Sequence, residues 1–284
     1  MKIEAAAYGK INLGLHITGV KPNGFHNIES LVTFINLKDI IEVRTSSDLK
    51  LSIDGPFAHT IPQDSNNIVI QAAKFLAVEK KAHIKITKNL PVEAGLGGGS
   101  ADAAATLSSL SKLWKIPIPK NVEILGADVP ICLKCEPAII KGIGEKITPI
   151  IIPKNLPMIL IKPKIGLSTK KIFKNLTNKK NQKMPDFLGT ESLESFYNYL
   201  NFLRNDLAST AIFYAPVIKE IINFLKVQGG IKYVQMSGSG TTCFGLFDTS
   251  ENAKISLKKA KSHFPDMWCE ITELINPRDN ITSK

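Results

Sequence analysis

"PVEAGLGGGSADAA", residues 91–104, sets three consecutive glycines, Gly97, Gly98 and Gly99, directly before a serine and an alanine-rich run. Glycine here leaves backbone N–H groups unobstructed by Cβ atoms and admits φ values that other residues avoid. A helix beginning near Ser100 adds its own unpaired N–H groups and the positive end of its dipole. Together these form a cradle for anions, phosphates above all. Two familiar phosphate loops do not fit. A Walker loop needs G-x-x-x-x-G-K-[ST], and no lysine follows these glycines. A dinucleotide fingerprint needs G-x-G-x-x-G, but the sixth position counted from Gly95 is Ser100, and no acid is suitably placed about 20 residues on. The competing reading is a glycine-rich helix start packed tightly on a sheet, although three adjacent glycines exceed what packing needs. Asp102, in the predicted first helical turn, reads as dipole compensation worth ~0.3–1 kcal/mol. A catalytic role fits it less well, because a carboxylate beside phosphates repels them.

Outward from this stretch, Ala103, Leu107, Leu110 and Trp114 share one helical face, and "IPIPK" ends that helix. Upstream, residues 2–19, "LVTFINLKDIIEVRT", "LKLSID" and "AHIKITKNL" read as strands, with turn chemistry at "GVKPNGFHN". "NNIVIQAAKFLAVEKK" reads as a helix that Asn66 or Asn67 can cap. Residues 128–152 read as short strands. The chain restarts around residues 153–158, which puts a domain boundary near 155 and gives domains 1–155 and 156–284. Beyond it come a buried strand (MILIKP), a short basic helix (168–176), helices near 191–203, 205–214 and 216–228, two strands about "SGSG", a helix at 250–264 and a strand at 267–275. The overall class is α+β, with an antiparallel sheet in the second half covered by helices on one face.

The 284 residues are 44% hydrophobic and 21% charged, and the formal net charge is +11. That is an ordinary globular composition with a basic balance. The densest lysine stretch, 162–183, contains a single aromatic, Phe173, and so lacks the interleaved aromatics of an RNA-binding sheet. Collection of phosphorylated small molecules is the better use for the charge, with no nucleic-acid partner expected. An apolar leader and a run of about 18 apolar residues are both missing, so the expectation is a cytoplasmic protein with no membrane partner. Four cysteines are too few for a disulfide scaffold. Cys132 and Cys135 form a C-x-x-C, but "VPICLKC" reads as a strand and two further zinc ligands are lacking nearby. Oligomeric state is not legible.

Three more stretches carry polar residues in telling places. "YGKINLGLHI" (8–17) puts Lys10 and Asn12 on one face of a strand by its period of two. "LGADVPIC" (125–132) carries Asp128, which in isolation would be a turn or cap residue. "MSGSGTTCFGLF" (236–247) adds a second glycine turn, able to reach a phosphate or line a cleft. Together with the glycine run, these stretches resemble the signature motifs of the GHMP kinases. "KINLGLHITGVKPNGFHNIESL" (10–31), "GADVP", "GLSTKKIF" (166–173) and "NDL" (205–207) extend the resemblance over nearly the whole chain, and it is closest to the branch that phosphorylates a diphosphocytidyl methylerythritol.

That resemblance implies the GHMP kinase fold: an N-terminal domain with a left-handed β-α-β unit and a C-terminal ferredoxin-like domain. It implies an ATP-dependent small-molecule kinase of non-mevalonate isoprenoid biosynthesis that uses Mg²⁺ as the nucleotide complex. The loop Pro91, Val92, Glu93, Ala94, Gly95, Leu96, Gly97, Gly98, Gly99, Ser100 and Ala101 would hold the ATP phosphates. Asp128 would be the general base for the substrate's C2 hydroxyl, and Lys10 would orient it. Asn12 would hold the methylerythritol hydroxyls. The cytosine would lie between Phe25 and Phe173, read by the backbone of His26, with Thr169 nearby. Glu93 and Ala94 stand where many members have glycine or other small residues. No protein ligand for Mg²⁺ is identified, Ser100 being the candidate. The alternatives are another GHMP kinase, for mevalonate, homoserine or a sugar, which would have no use for a base-stacking clamp, and an RNA-binding module.

Overall fold

The computed structural model describes residues 2–280. In chain order the elements are β1 (Lys2–Val20), β2 (His26–Thr45), β3 (Lys50–Asp54), α1 (Ile68–Leu76), β4 (Ala82–Thr87), α2 (Gly98–Trp114), α3 (Val129–Lys134), β5 (Ala138–Gly142) and β6 (Lys146–Pro149). Then follow β7 (Pro157–Lys162), α4 (Thr169–Lys174), α5 (Leu193–Leu200), α6 (Ala208–Tyr214), α7 (Val217–Lys226), β8 (Ile231–Met236), β9 (Cys243–Phe247), α8 (Ser250–His263) and β10 (Trp268–Ile275). The chain divides into two compact units that interleave in sequence. Among the described residues, the first takes those through Lys10, Leu37–Val92 and Gly97–Cys135; the second takes Ile11–Asn36, Glu93–Leu96 and those from Glu136. The boundary expected near 155 falls between β6 and β7.

In the first unit, Ile40–Thr45 of β2 pair antiparallel with β4, and β3 runs parallel to β4. Because α1 links β3 to β4, these elements form a β-α-β unit. The Asn67 side chain accepts the Val69 N–H and so caps α1. On β4, Ala82, Ile84 and Ile86 point inward with a period of two. Helix α1 packs on α2, and α2 on α3.

In the second unit, four antiparallel strands lie in the order β10-β7-β9-β8, with β2 extending the sheet beyond β10. Counted along the chain from β7, the order is 4-1-3-2, that of a ferredoxin-like split β-α-β. Ile218, Ile221 and Leu225 of α7, with Ala253 and Ala260 of α8, pack with Ile159, Ile161, Cys243, Phe247 and Cys269 in one core. Both helices therefore cover one face of the sheet, as the apolar pattern predicts. Residues Ile28–Val32 of β2 also pair with β5, and β5 with β6.

One element contradicts the sequence reading. "VPICLK" is helix α3, not a strand. Pro130 sits in its first turn, where a missing N–H costs nothing, and Cys135 closes it in the left-handed region at φ 51°. All four cysteines are free thiols. Burial, then the nearby Asp128 charge, pushes the Cys132 thiol well above its usual range, which disfavours a reactive thiolate. Among the described residues no helix is long and apolar enough to cross a membrane.

Candidate active site

Within the first unit, Lys10 on β1 is 4% exposed, and its Nζ lies 3.1 Å from Asp128 Oδ2. Asp128 precedes α3, and its carboxylate is directed to the lysine instead of capping the helix. The helix carrying the glycine run begins at Gly98, with Gly97 as N-cap at φ 66° and ψ 19°. A Cβ on Gly97 would stand 2.8 Å from Lys10 Cγ, so the lysine stem runs directly beneath the start of α2. Lys10 therefore touches both the carboxylate and the glycine run. The loop is held by its apolar members, since Leu96 and Ala101 are buried, while Gly99 is exposed. Ser100 Oγ lies against Gly126, 3.3 Å from where a Cβ would be, beside the turn that leads to Asp128.

Asp102 departs from its expected role. It sits beyond the first turn of α2 and is buried, with Oδ2 2.8 Å from Lys88 Nζ. Lys88 also meets Asp39 Oδ2 at 2.5 Å, and Asp39 Oδ1 accepts the N–H groups of Asn89 and Leu90. A buried acid–lysine–acid cluster, not dipole compensation, thus occupies the space under the helix start. Two carboxylates share one ammonium there, and Asp102 Oδ1 has no hydrogen-bond partner among the described residues. Burial, opposed by Lys88 and helped by Asp39, pushes the Asp102 carboxyl well above the usual carboxylate range. Sequence reasoning passed over Lys88, although Lys88 continues the inward parity of Ala82, Ile84 and Ile86 and is itself buried.

Within the second unit, Asn12 is buried and its Nδ2 donates to Ser30 Oγ at 2.9 Å. Its backbone N–H donates to Ser237 Oγ, which in turn donates to the Gly95 carbonyl at 2.8 Å. A Cβ on Gly95 would strike the Ser237 carbonyl, and Gly95 has φ 72°, so only glycine fits there. Glu93 has φ 49°, and its carboxylate lies against Gly166. Thr169 Oγ1 and Ser239 Oγ are 2.8 Å apart. The rings of His26 and Phe173 meet at 5.2 Å, tilted by 51°, whereas the Phe25 ring is 59% exposed. Burial and then Lys179 lower the His26 pKa, which leaves the imidazole neutral at pH 7.

Comparison with known proteins agrees with this fold. The family model "GHMP kinases N terminal domain" matches residues 67–142, and "GHMP kinases C terminal" matches residues 187–266. The class is that of the GHMP small-molecule kinases. A Ruegeria pomeroyi relative named 4-diphosphocytidyl-2-C-methyl-D-erythritol kinase is 43% identical, covering 95% of this chain and 98% of its own. One from Cereibacter sphaeroides, of the same name, is 41% identical over 93% and 96%. A crystal structure titled 4-(cytidine 5'-diphospho)-2C-methyl-D-erythritol kinase superposes with a TM-score of 0.79 at 25% identity, covering 96% of this chain and 99% of that one. The chain belongs to the 4-diphosphocytidyl-2-C-methyl-D-erythritol kinase family.

Proposed function

We propose that the chain transfers the γ-phosphoryl group of ATP to the C2 hydroxyl of 4-diphosphocytidyl-2-C-methyl-D-erythritol, giving the 2-phosphate and ADP in non-mevalonate isoprenoid precursor synthesis. The observation that carries the reading is the position of Lys10: its ammonium is 3.1 Å from Asp128 and its stem runs beneath Gly97. A base for the acceptor alcohol and a cradle for the donor phosphates then share one side chain.

Asp128 takes the hydroxyl proton as the oxygen attacks the γ-phosphorus, and Lys10 holds the carboxylate in place. The amides of Gly97 to Ser100 and the positive end of α2 bear the phosphate charge. Phosphoryl transfer requires little covalent chemistry from the protein beyond positioning and charge neutralisation. Asn12 holds the methylerythritol hydroxyls. Phe25 and Phe173 take the cytosine, with the His26 backbone at its polar edge and Thr169 nearby.

Mg²⁺, when bound with the nucleotide, neutralises its β- and γ-phosphates. Among the described residues no group of three or more His, Cys, Asp and Glu side chains could hold a metal. The ion fits as the nucleotide's own complex, with the Ser100 hydroxyl as the candidate protein contact. The test is an ADP-release assay that offers the cytidine diphosphate substrate, mevalonate, homoserine and galactose in parallel. Turnover confined to the cytidine compound is expected; faster turnover of any other acceptor overturns the assignment.

A further inference from the structure

The glycine turn at 236–242 has no part in the chemistry above, yet hydrogen bonds tie it to several distant segments of the second unit. Asn205 is 7% exposed, and its Nδ2 donates to the carbonyls of Met236 and Gly238 at 2.7 and 2.8 Å. The turn closes on itself through Ser237 N–H to the Thr242 carbonyl. Further bonds tie it to other segments, including one from Thr241 Oγ1 to the Ile165 carbonyl. Thr242 N–H donates to the Ala94 carbonyl, Ser239 Oγ meets Thr169 Oγ1, and Ser237 Oγ joins Asn12 N–H to the Gly95 carbonyl. Gly238, at φ 57°, brings its Cα close enough that a Cβ would lie 3.2 Å from Asn12 Oδ1. The Ser237 hydroxyl is fully buried, accepting from one segment and donating to the other. Both its hydrogen-bonding roles are spent on this bridge.

We propose that Ser237 is a positioning residue, which fixes the strand of Asn12 against the loop at Gly95 and so sets the acceptor alcohol in register with the donor phosphates. The inference rests on the kinase reading. The two segments keep their own local bonds without the bridge: Asn12 Nδ2 stays with Ser30, and Ala94 stays with Thr242. Binding of each ligand therefore survives removal of the hydroxyl, and the alignment between them does not.

The test is steady-state kinetics of Ser237→Ala with ATP and the cytidyl substrate, alongside its melting temperature. Expected is a fall in kcat of about 10–10²-fold, the scale set by misplacement of reacting groups by about 1 Å, with each KM within about threefold of wild type. A merely structural role would lower the melting temperature without producing that split. Overturning results are a kcat within twofold of wild type, or a loss carried wholly by one KM. If Ser237→Ala does not fold, Ser237→Cys keeps the slot filled with a slightly larger side chain while weakening both bonds, and the same split decides. A wild-type chain that releases no ADP with the cytidyl substrate sinks the kinase reading and this inference with it. A normal wild type with an unaffected variant sinks the inference alone.

Discussion

Gly97→Ala probes the contact on which the proposed chemistry turns. The backbone at Gly97 is left-handed, φ 66° and ψ 19°, a conformation that costs an L-residue roughly 1–2 kcal/mol. The new Cβ would also stand 2.8 Å from Lys10 Cγ and 2.9 Å from Cε. Carbon atoms need about 3.5–4.0 Å, so the lysine stem must retreat by about 0.7–1.2 Å. It has little room to do so, being 4% exposed with its ammonium held by Asp128. The backbone term alone lowers the melting temperature by about 2–8 °C. The retreat of Lys10 draws Asp128 out of line and lowers kcat by up to about 10²-fold. Differential scanning calorimetry reads the first effect and coupled ADP release the second. The control is Gly99→Ala, whose Cβ would meet Ile68 Cγ2 at a comfortable 3.9 Å; it should hold or raise the melting temperature. If Gly97→Ala melts early yet turns over within threefold of wild type, the link from Gly97 through Lys10 to Asp128 does not govern the chemistry.

Asp128→Asn should lower kcat by about 10²–10⁴-fold with nucleotide affinity intact; near-normal turnover removes Asp128 as the base. Phe173→Ala should weaken the cytidyl substrate by ~1–3 kcal/mol of lost stacking, read by isothermal titration, and equal affinities would reject the clamp. Asp102→Asn should flatten the dependence of stability on pH. With a native pKa of about 8 against ~3.9 unfolded, the native chain holds a proton across that window that the unfolded chain releases. The unfolding free energy therefore falls as pH rises from about 4 to 8, and urea denaturation at pH 5 and pH 8 showing the same slope in both proteins would refute the assignment.

Much of the architecture could be read from periodicity, because most elements bury one face and leave the other wet. The inward steps of Ile218, Ile221 and Leu225 and the period-two parity of β4 are of that kind. Helix α3 was not legible: six residues give barely two turns, and its apolar content mimics a strand. The same parity that locates β4 also places Lys88 inward, but a lysine in that slot reads as solvated until Asp39 and Asp102 are seen beside it. Lys10 and Asn12 could be assigned a common face, and both are buried. What stayed hidden were bonds across long stretches of chain. Ser237 meets Gly95 over 142 residues and Asn12 over 225, and no local pattern encodes such a partner.

The glycine run itself divides by cause. Gly95 and Gly97 are required by the protein alone, since both have positive φ and a Cβ on either would collide with Ser237 or Lys10. Gly98 is nearly so, because its Cβ would come within 3.2 Å of Lys88 Nζ. Packing thus explains more of the run than its sequence suggests, and glycines there cannot by themselves argue for a ligand. Gly99 is different. It is exposed, lies inside the first turn of α2, and has space for a methyl group. Glycine in a helix costs about 0.5–1 kcal/mol relative to alanine, and no neighbouring atom demands it. The remaining physical reason is access to the backbone from outside, which is what a phosphate approaching the amides of α2 requires. The case for the cradle therefore rests most heavily on the one glycine that the protein's own packing leaves unexplained.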